Sequence, residues 1–321
     1  MTTNITDTQP STNGSPGRSS KPAMSPATPA RRARGDGRFA LWLVLPTLLV
    51  LAAVIGYPVL RAVVRSLYDD RLGRDPSFIG LDNYASILFG GGAEKFWAAL
   101  GNTLFFSFTT VVFELLIGMT LALVMNRAFK GRGIVRAVVL VPWAIPTAVA
   151  AVLWKWTFDA NGIVNHLLGS QILWTGSEWP AKWAIVFADT WKTAPFIALL
   201  VLAGLQTISQ EVYEAARVDG AGPIRRFFSI TLPLARPAIV VAVLFRLLDV
   251  LRIYDLPQIF TNGANNTRTL SMLVVEESIG NLHVGVGSAL STLTFLIVFI
   301  IAFIYIRLLG ARVMSSANGA S

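Results

Sequence analysis

The sequence contains no cysteine, only two histidines and few charged residues. The absence of cysteine excludes disulfides, iron–sulfur clusters and thiolate chemistry. The histidines, His166 and His283, stand in different polar segments with no metal-ligand pattern near either, so the sequence predicts no metal site and no catalytic residues. The charged fraction of 14% is well below the roughly 25% of soluble domains. We therefore expect the chain to lie in a membrane.

A nucleotide-binding motif is also missing. The pattern G-x-x-x-x-G-K-[ST], whose backbone and lysine cradle phosphates, occurs nowhere in the 321 residues. The chain is predicted to bind no ATP by that route and to carry no cofactor. If ATP drives its activity, another subunit has to bind the nucleotide.

Long apolar runs are abundant, since 54% of the residues are hydrophobic. Several runs reach the length that an α-helix needs to cross a bilayer, and they are apolar on all faces, which argues against a large soluble core. The predicted fold is all-α, a polytopic membrane protein with six transmembrane helices. The proposed spans are 39–66, 100–125, 134–158, 183–207, 238–261 and 288–309. Prolines in the third and fourth spans predict kinks there.

Basic residues are unevenly distributed between the segments that join these spans. Lys and Arg number 16 in one set of alternating segments and 5 in the other, and the richer segments are 1–38, 126–136, 208–237 and 307–321. Because basic loops stay cytoplasmic, both termini are predicted to be cytoplasmic. The net charge of +9 then reflects topology, and we expect no nucleic-acid partner. Residues 1–38 are expected to form a disordered basic tail. Residues 39–310 are expected to form the transmembrane domain, and 311–321 a short cytoplasmic tail.

A dense polar segment, 209–237, interrupts the apolar sequence between the fourth and fifth spans. Its first half reads as a short amphipathic helix that Asp219 and Gly220 end. Pro223 suits the first turn of a second short helix, which carries aromatic residues beside arginines. The residues alone leave two interpretations open, a docking surface for another protein or a solvated loop with an interfacial amphipathic helix.

The same segment resembles the EAA loop of the permease subunits of ATP-binding-cassette importers, whose pattern is EAA-x-x-DGA-x5-F-x2-I-x-LP-x3-P. In that family the loop's short helix sits in a cleft of the ATPase subunit and passes nucleotide-driven motion into the membrane. The resemblance implies a type I importer permease fold with 209–237 as its coupling loop. Ile230 and Pro237 complete the pattern. The matched residues to which the resemblance gives an ATPase-coupling role are Glu214, Ala215, Ala216, Asp219, Gly220, Ala221, Phe227, Leu232 and Pro233.

Most of the chain after the tail resembles the MalF-like sugar permeases of this family, for example in FIGLDNYASIL (78–88) and in 102–146. The resemblance implies a multi-pass protein of the cytoplasmic membrane with a second, MalG-like permease subunit, an ATP-binding subunit dimer and an extracytoplasmic sugar-binding protein or lipoprotein as partners. Membrane lipid is a further expected partner. The implied substrate is a disaccharide, trehalose or a related α-glucoside, and the alternative is another sugar or polyol. An amino-acid or peptide importer is the further possibility within the family.

Ionisable residues inside the proposed spans are costly and should face a cavity, the bundle or an interface. They are Glu114, Lys155, Asp189, Lys192, Arg246, Asp249, Arg252 and Asp255. Lys155, Arg246 and Asp255 are expected to form structural pairs or to reach a membrane boundary. Asp189 with Lys192, and Asp249 with Arg252, place mixed charges on two adjacent helices.

These mixed charges suggest a sugar site, because sugars bind to paired polar groups and aromatic faces. The resemblance also places family sugar contacts on the equivalents of the fourth and fifth spans. The predicted substrate-binding residues are Asp189, Lys192, Thr193, Phe196, Asp249, Arg252 and Tyr254. The alternative is that these charges are internal ion pairs that hold the bundle together.

Two functions from other classes compete with the importer subunit. An ATP-independent carrier or channel would need no ATPase partner, and the in-register loop pattern argues against it. A membrane enzyme would need a nucleophile with a base or a metal site, and the residue inventory offers neither. The sequence is therefore interpreted as a transport subunit without covalent chemistry of its own.

Overall fold

The computed structural model describes residues 36–73 and 75–310. The proposed tails, 1–38 and 311–321, fall outside these residues except for 36–38, which already belong to the first helix. The chain divides into two compact units, Met1–Val54 and Ile55–Ser321. In the first unit, α1 spans Asp36–Leu51, contains Pro46 and is followed by a π-helical turn, Ala52–Gly56, at the boundary between the units.

The second unit is helical apart from one small antiparallel strand pair. Strands β1 (Tyr68–Asp69) and β2 (Ser77–Phe78) pair Tyr68 with Phe78. The helices before the polar segment are α2 (Tyr57–Arg65), α3 (Asp82–Leu88), α4 (Ala93–Asn126), α5 (Arg132–Ala144), α6 (Thr147–Thr157), α7 (Ile163–Leu168) and α8 (Glu178–Gln206). The helices from the polar segment onward are α9 (Gln210–Val218), α10 (Pro223–Arg226), α11 (Leu232–Val250), α12 (Asp255–Thr261), α13 (Leu270–Val275) and α14 (Val284–Tyr305).

Five helical runs in the described residues are long and apolar enough to cross a membrane. They are Leu41–Arg65, Ala93–Asn126, Glu178–Gln206, Pro223–Val250 and Val284–Leu309. The third proposed span is a pair of helices, α5 and α6, bent by 93°, and counting it as one span gives the predicted six. The bend confirms the predicted kink, because Pro146 follows Ile145 and forces the backbone before it out of the helical region.

The fifth span was placed wrongly. It was predicted to begin after Pro237, but the helical run starts at Pro223 and passes through Pro233 and Pro237 before it ends at Val250. Pro233 stands directly after the π-helical turn Phe227–Thr231 and Leu232, inside this continuous run. Residues 251–254 then leave the helix, so Arg252 and Tyr254 lie on an irregular segment and Asp255 begins α12.

Helices α4, α8 and α11 form the centre of the second unit through small residues. A Cβ atom on Gly118 of α4 would lie 2.8 Å from Ile197 Cγ2 and 3.0 Å from the Ala194 carbonyl oxygen of α8. A Cβ atom on Gly204 of α8 would lie 2.3 Å from the Cβ of Ala238 on α11. Such close approach is how membrane helices gain packing energy without a hydrophobic driving force. It also brings polar side chains of three helices within reach of one another.

Candidate functional site

A polar cavity of about 330 Å³ lies where α5, α6, α8, α11 and α12 meet. Its volume is at the lower end of the range of about 300–1,000 Å³ for small-molecule sites. The lining contains three carboxylates and three basic side chains, so its formal charges balance. The lining residues are Trp143, Thr147, Asp189, Lys192, Thr193, Arg246, Asp249, Val250, Arg252, Ile253, Tyr254, Asp255 and Leu256.

One buried arginine organises the charges on one wall of this cavity. Arg246 donates from Nε to Glu114 Oε2 on α4 at 2.6 Å, from Nη2 to Asp189 Oδ2 on α8, and from Nη1 to Asp249 Oδ2 on its own helix. We call these four residues the Arg246 cluster. The planar guanidinium has donors on all three nitrogens, and here each nitrogen binds a different carboxylate. The cluster therefore joins α4, α8 and α11.

The three carboxylates of the cluster differ sharply in exposure. The side chain of Glu114 is 0% exposed and that of Asp189 is 7% exposed, whereas that of Asp249 is 70% exposed. Arg246 itself is 3% exposed. Asp249 is thus the member of the cluster that a molecule in the cavity can reach most readily. Glu114 is not part of the cavity lining and binds the Nε side of the arginine.

Six of the seven predicted substrate-binding residues line the cavity. They are Asp189, Lys192, Thr193, Asp249, Arg252 and Tyr254. The seventh, Phe196, does not line it but stacks on Trp143, with ring centroids 5.9 Å apart. The structure thus brings the predicted residues together from α8, the end of α11 and the irregular segment after it.

The ion pairs that form are not the neighbours noted in the sequence, Asp189 with Lys192 and Asp249 with Arg252. Asp189 and Asp249 bind Arg246, while Arg252 Nε donates to the Leu248 carbonyl oxygen at 3.2 Å. Thr193 Oγ1 donates to the Asp189 carbonyl oxygen at 2.8 Å. Arg246 forms a structural ion pair, which is one of the two expected outcomes for it. Lys155 Nζ reaches the Ile259 carbonyl oxygen on α12 at 2.7 Å.

Sequence reasoning did not assign several residues of this region to the site, among them Arg246 and Asp255, which line the cavity, and Glu114, Trp143 and Thr147. Glu114 was recognised as an intramembrane charge but not assigned to the site, and its isolation in an apolar run was the available signal. Trp143 and Thr147 flank the proline-containing bend between α5 and α6. No local pattern distinguishes them, because their place in the cavity wall depends on the angle of that bend.

The polar segment 209–237 folds as a helix, a turn and a second helix, as predicted. Helix α9 ends at Val218, and Gly220 has a φ of 74°, in the left-handed region that glycine tolerates best. Ala221 N–H donates to the Ala216 carbonyl oxygen at 2.9 Å and closes the turn. Helix α10 then continues through a π-helical turn, Phe227–Thr231, directly into α11.

The residues of the EAA pattern divide between an exposed face and an anchoring face. Glu214, Ala215, Asp219, Gly220 and Pro233 are exposed, and Ala216 is buried. Ala221 is half-buried, and half-buried Phe227 and Leu232 pack against a core of α4, α8 and α11.

Several apolar side chains beside the exposed motif residues also face outward. Val218 is 88% exposed, Ile224 76% and Phe228 61%. The Tyr213 and Thr231 hydroxyls lie 3.2 Å apart and tie α9 to the start of α11. The segment therefore presents an apolar surface on a base that is fixed to the transmembrane core.

Comparison with known proteins identifies related chains along most of this sequence. Residues 114–315 match the family described as binding-protein-dependent transport system inner membrane component. The trehalose/maltose transport system permease protein MalF of Thermococcus litoralis is 39% identical over 85% of this chain and 94% of its own length. The trehalose transport system permease protein SugA of Mycobacterium tuberculosis is 41% identical over 86% and 90%. The sulfoquinovosyl glycerol transport system permease protein SmoG of Agrobacterium fabrum is 38% identical over 87% and 92%.

The fold is also found in solved structures. A chain of a bacterial alginate ABC transporter, solved in complex with an alginate pentasaccharide-bound periplasmic protein, superposes with a TM-score of 0.74. The match covers 84% of this chain and 93% of that chain at 20% identity. At this identity the likeness establishes the fold alone, which is that of an ABC importer permease. The predicted fold class, an all-α polytopic membrane protein, is confirmed, while the cytoplasmic placement of both termini stays a prediction.

Proposed function

This chain belongs to the family of binding-protein-dependent transport system inner membrane components, and from that membership we propose that it is the membrane-spanning permease subunit of an ATP-driven sugar importer. It is a multi-pass protein of the cell membrane. The proposed substrate is trehalose or a related α-glucoside, in line with the substrates in the names of two relatives at 39% and 41% identity. The alternative is another sugar or polyol.

The observation that carries this proposal is the balanced polar cavity inside an apolar helix bundle. Buried polar groups in a membrane are expensive, and the Arg246 cluster accounts for only part of the polar lining. Lys192, Arg252, Tyr254 and Asp255 also face the cavity. Carboxylates, basic groups and a phenol can bind the many hydroxyls of a sugar, and Trp143 supplies an aromatic face.

The charge balance favours an uncharged sugar over an anionic one. Three carboxylates and three basic groups line the cavity, and Glu114 lies behind it as a further acid. A sulfonate or uronate would add negative charge to a site with no excess of basic groups, and like charges at close range in a low-dielectric site repel strongly. A neutral disaccharide meets no such penalty.

The segment 209–237 is proposed as the surface to which an ATPase subunit binds. Exposed Val218, Ile224 and Phe228 offer an apolar patch, which is typical of a protein interface. Because α8 precedes the segment and α11 follows it, motion at the surface would reach two helices that line the cavity. The proposed partners are an ATP-binding subunit dimer, a second permease and an extracytoplasmic sugar-binding protein. With cytoplasmic termini, the segment faces the compartment that holds ATP.

Uptake by the reconstituted importer tests this function. The chain would be co-expressed with its neighbouring transport genes, and the purified complex would be placed in ATP-loaded vesicles with its binding protein and radiolabelled trehalose. We expect saturable, ATP-dependent uptake that maltose and other neutral disaccharides compete for better than sulfonated or uronic sugars. The absence of ATP-dependent uptake for every sugar in the panel would refute the proposal.

The variant Asp249→Asn tests whether the cavity is the sugar site. A charged acceptor for sugar hydroxyls contributes about 1.5–3 kcal/mol, so we expect the KM for uptake to rise about tenfold or more with normal assembly. Glu94→Gln, on an exposed residue at the start of α4, is the matched control. An unchanged KM for Asp249→Asn would remove this residue from the site.

A further inference from the structure

We propose that Arg246, held by Glu114, is a positioning residue that fixes the carboxylates of Asp189 and Asp249 for sugar binding. This inference rests on the proposed sugar-import function and deepens it. It assigns to Glu114, which no molecule in the cavity can contact, an effect on substrate affinity.

The geometry of the guanidinium supports this role. Arg246 uses Nη2 for Asp189 and Nη1 for Asp249, so the two carboxylates are held on one rigid plane. Each carboxylate binds Arg246 through Oδ2, which leaves Oδ1 to accept other donors. Asp189 Oδ1 already accepts from the Thr193 hydroxyl at 3.5 Å, and a carboxylate oxygen can accept a second hydrogen bond. Arginine suits this arrangement better than lysine, because its planar fork sets the direction of each hydrogen bond whereas an ammonium group does not.

Glu114 fixes the plane itself. Its Oε2 accepts from Arg246 Nε at 2.6 Å and belongs to a different helix from either cavity carboxylate. Without that bond, the guanidinium would be held only through Nη1 and Nη2. Because the Nη1 partner, Asp249, is exposed, this leaves the group freer to rotate about the end of the arginine side chain. Glu114 is 0% exposed and does not line the cavity, so its influence on a ligand has to pass through Arg246.

Glu114 has a second unusual feature. In the part of the chain that the structure describes, its Oε1 is buried and has no hydrogen-bond partner. A buried carboxylate oxygen without a partner costs free energy, and burying the whole charge costs more. An apolar residue at this position would avoid that cost but would leave the buried Arg246 Nε without its acceptor. The presence of Glu114 is explained by its orienting of Arg246, which compensates for the cost of burying its carboxylate.

The transport test compares Glu114→Leu with Glu114→Gln in the complete reconstituted importer with radiolabelled trehalose. Leu removes the acceptor, and we expect the KM to rise about tenfold with maximal uptake per assembled complex within about twofold of wild type. Gln keeps a neutral acceptor, so it should restore most of the affinity. Glu94→Leu and Glu94→Gln on the same helix serve as matched controls.

The outcomes separate this inference from the function that it rests on. A purely structural role would lower the amount of complex and leave KM unchanged, and that result would overturn the inference while leaving the importer intact. Failure of the wild-type complex to take up any sugar would instead refute the proposed function.

A second measurement needs no sugar. Asp249 in the detergent-purified complex can be labelled with a water-soluble carbodiimide and glycine ethyl ester, and its modification can be followed by mass spectrometry of the peptide. We expect Asp249 to react several-fold faster in Glu114→Leu, because its bond to Arg246 is loosened. Equal rates in wild type and Glu114→Leu would overturn the positioning role whatever the substrate is.

Discussion

The Arg246 cluster and the segment 209–237 are two places where this apolar chain concentrates charge. In the cluster the charges are paired with one another, whereas in the segment they are exposed. In the cluster, four ionisable side chains from three helices bind one another, and only Asp249 among them is exposed. In the segment, Glu214, Arg217 and Asp219 are exposed, and so are the apolar side chains of Val218 and Ile224.

The difference indicates where each region finds its partners. A buried charge without a partner is too costly to persist, so the cluster has to be completed within the chain. Exposed charges beside exposed apolar side chains are stable in water but leave a surface that a second protein can cover. We therefore expect substitutions in the cluster to affect the chain itself, and substitutions in the segment to affect assembly and coupling.

The largest expected effect comes from Arg246→Met. Removing one partner of a buried ion pair typically costs about 3–5 kcal/mol, and here three carboxylates would lose their common partner. We expect the apparent unfolding temperature of the purified complex to fall by on the order of 10 °C, measured by thermal-shift fluorescence in detergent. Arg236→Met, on an exposed residue of the same helix, is the control and should change it little. Equal unfolding temperatures for the two variants would contradict the central role of the cluster.

A smaller and more selective effect is expected from Gly220→Val. A β-branched residue at a φ of 74° adds about 1–3 kcal/mol of strain, which corresponds to roughly a 5- to 150-fold loss of the docked geometry. ATP-dependent uptake should fall accordingly, while membrane insertion stays normal and the unfolding temperature falls less than in Arg246→Met. Gly222→Val is the matched control, since Gly222 has a φ of −67° and open space around it. Normal uptake by Gly220→Val would argue against a coupling role for this turn.

The smallest functional effect is expected from two cysteine variants that test the predicted orientation. Because the chain has no cysteine, Ser170→Cys and Ser229→Cys each introduce a unique thiol at an exposed position. A membrane-impermeant maleimide should label Ser170→Cys in intact cells and Ser229→Cys only in inverted vesicles. Transport should remain near wild type in both. Labelling of Ser229→Cys in intact cells would reverse the orientation.

The sequence predicts much of the fold because the relevant signals are local. Apolar runs located the spans apart from the bounds of the fifth, and prolines located the bend between α5 and α6. The end of the fifth span was missed because its charged residues, Arg246 and Asp249, lie before the break as Arg252 and Asp255 lie after it. Charge therefore does not mark the end of the helix at Val250. The turn at Gly220 was predicted from its own residues and was confirmed.

The site was only partly predictable, for a related reason. Asp189 and Asp249 were selected as charges on neighbouring helices, and both line the cavity. Their common partner, Arg246, lies 57 residues from Asp189 and 132 from Glu114 in sequence. Each was seen as a separate charge with a local neighbour, because spacing along one helix says nothing about which face meets another helix.

The sequence by itself determined that this chain is a predominantly helical membrane protein and that 209–237 folds as a helix, a turn and a second helix. These features depend on composition and on backbone preferences within a few residues, which the order of amino acids specifies directly. Only the tertiary structure decided which charges meet. The close approach of α4, α8 and α11 at Gly118 and Gly204 brings Glu114, Asp189 and Asp249 to one guanidinium, and that contact requires helix positions that no local pattern encodes.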